Sequence, residues 1–308
     1  MKPENNAWRA FIDLAEMGRT DWRSIALTIV LVVSLSIPAN LTAALVQIVF
    51  LHRFVSISDA FKAAVFHLAI VVACILALRL ICRKILRRPF RSLISTDLTF
   101  KIRRCLLGAA LCLPAQVGSL VIFSLYFSMR TGSVLLRHFE WPHDIAQIEA
   151  TIPMIILIPF LAFIEELFFR AWLTQTLGHY IRSTIIVVAL VAVLFAAIHT
   201  QYNFWQKMQV LVDSLGLSAL SLRDRRLELA IGAHSMMNVC VTLQALFLTG
   251  PLPFVDHAIT TTTLDLWSIA ILRGAIPYAL LYGLAQITGA WFVPAEAHLT
   301  LPGEVQPG

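Results

Sequence analysis

Charge is scarce in this chain. Asp, Glu, Lys and Arg make up 14% of its 308 residues against 58% hydrophobic, and the mean hydropathy is +0.79. A soluble domain carries about 25% charged residues. The chain therefore has too little polar surface to solvate a globule, which excludes a water-soluble enzyme or binding module. Cysteine is sparse as well. Cys74, Cys82, Cys105, Cys112 and Cys240 lie in or at the ends of apolar runs, form no C-x-x-C pair and are odd in number. They read as small core or lipid-facing residues, not as disulfides or metal ligands. No H-E-x-x-H helix, G-x-S-x-G elbow, internal repeat or low-complexity tract occurs. A cleaved signal peptide is not expected. The first 23 residues mix acids with bases, and the apolar run after them is too long for a leader.

The bilayer is the solvent that suits such a composition. A spanning helix needs roughly 20 mostly apolar residues, and eight segments are expected: Ser24–Leu51, Ala60–Cys82, Cys105–Phe127, Ala150–Thr176, Ser183–Gln201, Trp205–Leu222, Leu227–Leu248 and Trp267–Phe292. The sixth is the shortest. The fold class is thus all-α, a polytopic membrane bundle of about eight helices. Residues 1–149 are expected to hold about three membrane helices and a basic loop, residues 150–292 a helical core, and residues 293–308 a tail. Trp8, Phe11, Ile12 and Ala15 follow helical spacing, so the leader is expected on the membrane surface.

The net charge of +6 does not point to nucleic acid, because the basic residues sit in short loops. Lys2, Arg9, Arg19 and Arg23 precede the first segment. Arg83, Lys84, Arg87, Arg88, Arg91, Lys101, Arg103 and Arg104 fill the second loop, and Arg223, Arg225 and Arg226 the sixth. Alternate loops are poor in Lys and Arg, so both termini are expected to be cytoplasmic. The loop Ser128–Glu149 carries His138, Glu140, His143 and Asp144 without repeated ligand spacing, and reads as interfacial.

Ionisable groups inside membrane helices cost about 2.5–3.5 kcal/mol each at mid-depth, and they are usually functional. His67 is alone in the first three segments and gets a structural reading. The polar load lies further on. Segment four holds Glu165 and Glu166 followed by Arg170. Glu166 and Arg170 are one turn apart and share a face, so they are expected to pair. Glu165 points about 100° away without a partner in its own helix, which makes it the candidate base, with a pKa raised by desolvation. Segment five ends Phe195-Ala196-Ala197-Ile198-His199, and segment seven contains His234 and Asn238 on one face. One pocket for all four groups is the economical arrangement, because each can satisfy another's hydrogen bonds. A carboxylate, two imidazoles and an amide suit peptide hydrolysis. Glu165 takes a proton from water, His199 or His234 orients that water or protonates the leaving amine, and Asn238 donates to the oxyanion. Glu165, His199 and His234 are also the ligand types of some zinc peptidases, and the sequence does not choose between the two.

The patterns E-E-x-x-x-R at Glu165–Arg170, F-x-x-x-H at Phe195–His199 and H-x-x-x-N at His234–Asn238 resemble the three motifs of the CPBP (ABI) family, which includes the type II CAAX prenyl endopeptidases. The resemblance covers roughly Pro153–Thr249. It implies an all-helical membrane fold with a mid-membrane cavity. It assigns water activation to Glu165, the family's histidine roles to His199 and His234, the oxyanion contact to Asn238, and the family's arginine to Arg170. No required cofactor is expected, with zinc on Glu165, His199 and His234 as the alternative. The expected partners are the bilayer and a membrane-associated protein or peptide substrate. Two rivals remain. One is a non-catalytic scaffold or immunity-type binding protein of the same fold; the other is a transporter or proton relay using Asp213. Helix counting raises one difficulty. His199 lies about 24 Å along segment five and His234 about 10 Å along segment seven, so the two meet only if segment five is tilted or submerged.

Overall fold

Lipid offers no partner to a free N–H or C=O, so an apolar chain must satisfy its backbone within each segment. The computed structural model describes residues 3–31, 34, 57–131, 145–247 and 263–293, and among them every extended element is a helix. In chain order these are α1 (Pro3–Ile12), a 3-10 turn (Asp13–Met17), α2 (Trp22–Leu31), α3 (Ile57–Lys84), α4 (Ile102–Thr131), α5 (Ile145–Glu166), a π-helical stretch (Leu167–Leu173), α6 (Thr174–Tyr180), α7 (Thr184–Ile198), α8 (Phe204–Asp224), α9 (Glu228–Phe247) and α10 (Thr263–Ile287).

Five stretches are long and apolar enough to cross a membrane: Phe61–Lys84, Ile102–Tyr126, Thr151–Tyr180, Glu228–Phe247 and Ala270–Ile287. The expected segments two to eight each correspond to a helix. The fifth and sixth, α7 and α8, are not among the five: α7 is a short apolar helix, and α8 carries more polar residues. Of the first segment only its beginning, in α2, lies within the described residues. The loop tract 132–144, with His138, Glu140, His143 and Asp144, and the tail beyond residue 293 lie outside them.

The surface is inverted relative to a soluble protein. Leu76, Leu80, Leu106, Val117, Ile156 and Ile185 are all more than half exposed, as lipid-facing positions require. Inside, α9 packs on α4 and α5, α10 packs on α4 and α8, and α7 packs on α8. The α4–α9 contact depends on two glycines. A Cβ on Gly232 would sit 1.8 Å from the Cys105 carbonyl oxygen, and one on Gly108 would sit 2.1 Å from that of Leu229. The two backbones touch there, as small residues allow in membrane bundles. All five cysteines are free, and His67 bonds the Ala63 carbonyl of its own helix at 2.8 Å.

The N-terminal segment departs from expectation. Phe11 and Ile12 are fully buried in a core with Leu78, Leu93, Trp172 and Leu227, and Arg9 donates to the Gly178 carbonyl at 3.0 Å. The apolar face that suggested a membrane-surface helix instead plugs one end of the bundle.

At that end the loop after α3 is fastened to the turn between α8 and α9. Thr96 N donates to the Arg225 carbonyl at 3.2 Å, and Leu227 N donates to the Ile94 carbonyl at 2.9 Å. Arg226, fully buried, pairs with Glu228 at 2.6 Å and with Asp97 at 2.5 Å. Burial alone pushes the Asp97 carboxyl up, but hydrogen bonds from Ser95, Thr99 and Arg226 outweigh it and hold the group below the usual carboxylate range. Such a carboxylate stabilises the fold fully above its unfolded pKa, near about pH 4. That contribution is lost as the pH falls through the folded value. Asp97→Asn should therefore lower the thermal unfolding temperature at neutral pH, and the gap to the unaltered protein should close on acidification below about pH 4. An equal gap in neutral and acid buffer would show that the carboxylate charge plays no part.

Candidate active site

Segment four runs as α5 up to Glu166, then widens into a π-helical stretch from Leu167 to Leu173. Such wide turns are rare and concentrate at functional positions. One wide turn displaces the helical hydrogen-bond ladder, and Thr174 Oγ1 caps a displaced carbonyl by donating to Phe169 O at 2.8 Å, five residues back. The two glutamates stand at the start of the bulge, with Arg170 inside it.

Glu166 and Arg170 are both buried and lie 3.3 Å apart. This is the expected i,i+4 pair, but it is not a well-aligned hydrogen bond: Glu166 Oε2 and all three guanidinium nitrogens lack hydrogen-bond partners among the described residues. The pair holds by charge attraction, which, unlike a hydrogen bond, does not need alignment. The guanidinium is also compensated from another side. Its Cζ sits 4.1 Å from the centroid of the Phe195 ring, a cation–π contact worth up to about 2 kcal/mol when desolvated. The phenylalanine of the F-x-x-x-H pattern is thus the arginine's second support.

Glu166 has a partner that spacing within one helix did not reveal. Its Oε1 lies 2.8 Å from His234 Nδ1 across the α5–α9 interface. An ionised carboxylate only accepts, so Nδ1 must carry the proton. That fixes the imidazole's tautomer and leaves Nε2 as the working nitrogen, as a carboxylate partner does in metal and triad sites. Nε2 in turn lies 3.6 Å from Glu165 Oε2. This is ion-pair contact, too long for a direct hydrogen bond. His234 is therefore held between two carboxylates, one buried and one open. Glu165 has 34% of its side chain exposed.

His199 lies just beyond the end of α7, half-buried. Its Nδ1 contacts Phe195 O at 2.7 Å, and its ring stacks on Tyr202 at 5.5 Å with a 13° interplanar angle. The Phe195 centroid is 4.7 Å from that of His199 and 6.2 Å from that of His234. The two imidazoles cannot be further apart than the sum of those distances. The structure brings the two rings within that distance although α7, Thr184–Ile198, still carries His199 about 22 Å from its start. Asn238 is half-buried one turn along α9 from His234, on the same face.

Among the described residues no three His, Cys, Asp or Glu side chains gather to hold a metal ion. Glu165 meets His234, whereas His199 bonds a backbone carbonyl through Nδ1 and stacks on Tyr202. The features that sequence reasoning missed are the Glu166–His234 bond, the π-helical stretch and Tyr202. Only Phe195 left a signal, through its fixed spacing to His199.

Residues 147–240 match the family of type II CAAX prenyl endopeptidase Rce1-like proteins, a stretch that contains all three motifs and is under a third of the chain. The chain is also 25% identical over 246 residues to an uncharacterized protein, YyaK, of Bacillus subtilis (strain 168), covering 76% of this chain and 77% of that protein. No solved structure matches. The resemblance to the CPBP family thus holds over the helices that carry the site: the chain is an integral membrane helical bundle with an Rce1-like segment at its centre.

Removing one partner of a buried charged group strands the other, at about 3–5 kcal/mol. Glu166→Gln should lower the unfolding temperature in detergent well below that of Glu165→Gln, whose exposed carboxylate is worth about 1 kcal/mol or less. A larger loss from Glu165→Gln would exchange the two roles.

Proposed function

We propose that this protein is an intramembrane endopeptidase that hydrolyses a peptide bond of a membrane-associated substrate. The observation that carries the reading is the array Glu166–His234–Glu165. In it a part-exposed carboxylate stands beside an imidazole whose other nitrogen is bonded from behind. Glu165 takes a proton from water as that water attacks the scissile carbonyl. The proton reaches the leaving amine through His234 Nε2 or His199, and Asn238 donates to the oxyanion. Arg170 and Glu166 hold the array and do not touch substrate. The Rce1-like match makes a prenylated, CAAX-type protein the first substrate class to try.

The mechanism we propose needs no metal. In purified protein, cleavage should persist after exhaustive chelation and should be lost in Glu165→Gln. Activity that vanishes with chelator and returns with about one zinc per chain would overturn the glutamate mechanism. A chain that keeps every motif residue, folds, and cleaves no membrane protein that is processed in its presence would favour the scaffold reading.

The alternation of basic loops carries the proposed orientation, with both termini in the cytoplasm. A C-terminal alkaline phosphatase fusion should then be inactive. An active fusion would invert the topology.

A further inference from the structure

Six hydrogen-bonding side chains gather where the composition leads one to expect apolar packing. Gln116 and Ser119 of α4, Gln209 and Asp213 of α8, Gln244 of α9 and Arg273 of α10 line a cavity of about 20 Å3. Arg273 donates to Gln244 at 3.1 Å. Asp213 is 6% exposed. Arg273 and Arg170 supply the positive charge near it. A carboxyl group this deep costs several times the free energy of an ordinary contact unless something bonds it. Cavities that stay dry are lined by apolar groups, whereas polar ones hold water, and one water needs about 10–15 Å3. The space suits about one or two waters and no organic ligand.

The cavity borders the candidate site. Met237, in its wall, directly precedes Asn238 in α9 and receives a contact from Tyr278 Oη at 3.3 Å. A hydrolytic site among membrane helices needs a local source of water, and this is the polar space beside it.

We propose that the cavity is a hydrated site whose water is held by Asp213, and that it supplies the hydrolytic centre. The supply role rests on the endopeptidase reading above; the hydration does not. The two are separable. X-ray radiolysis generates hydroxyl radicals from bound water, and Met237 is the oxidisable side chain in the cavity wall. Peptide-level mass spectrometry should find Met237 oxidised in the intact protein. Asp213→Leu and, independently, Ser119→Val should each cut that oxidation at least about twofold by displacing the water. Met154 of α5, away from the cavity, should be unchanged, and thermal unfolding should verify that the variants fold. Unoxidised Met237, or oxidation equal in folded variants, would overturn the hydrated site. In the cleavage assay Ser119→Val should lower kcat at unchanged KM, and an unchanged kcat would overturn the supply role. An intact chain that cleaves nothing would overturn the endopeptidase reading and the supply role together, while Met237 still decides the hydration.

Discussion

The arrangement of the site depends on one buried carboxylate. Glu166 is fully buried, 2.8 Å from His234 and 3.3 Å from Arg170. It joins the start of the π-helical stretch to α9 and sets which imidazole nitrogen faces Glu165. It also gives the guanidinium its nearest opposite charge. Without it, a buried cation and an unoriented histidine would remain in a low-dielectric interior, where each unmet charge weighs more than in water. The aromatic groups follow from the same constraint. Phe195 touches Arg170, Phe169, His199 and His234, because the cation must be shielded on the side its carboxylate does not reach.

Polar groups elsewhere in the bundle follow the same rule. At one end, Arg226 is bonded by Glu228, Asp97 and Thr99. Arg104 bonds Asp224 at 2.6 Å, and Arg88 bonds Gln175 at 2.7 Å. These groups lie in the loops or helix ends and staple the basic loop to the helices that carry the site. Buried charges are thus paired inside, Arg83, Lys84, Arg87, Arg91, Lys101 and Arg103 of the basic loop remain exposed, and much of the helices' outer shell is left to leucine, valine and isoleucine.

Much of this was legible in the sequence, and for identifiable reasons. Long apolar runs specify helices directly, because a spanning segment has few other options, so α3, α4, α9 and α10 fall where expected within a few residues. The pairing of Glu166 with Arg170 was legible because it is local to one helix turn. The bond from Glu166 to His234 joins residues 68 apart in the chain, and no single-helix periodicity encodes it. The bulge at Leu167–Leu173 was hidden because the stretch reads as ordinary apolar helix. The leader was misplaced for another reason. An amphipathic face records that something apolar covers it, and here the cover is Trp172 and Leu227, not lipid. The length of α7 was overestimated, since Thr200 and Gln201 extend an apolar run without extending the helix.

The glycine contact between α4 and α9 has a consequence for the order of assembly. Gly108 and Gly232 meet backbone to backbone, yet about 120 residues of chain separate them. At a synthesis rate of about 5–20 residues per second, α4 waits roughly 6–25 s for its partner. Through that interval its notch has no native occupant. The nascent chain must insert α5 to α8 around a groove that only the late-arriving α9 can close. His234 travels on that late-arriving helix, so it meets Glu165 and Glu166 only after α4 to α8 have been made.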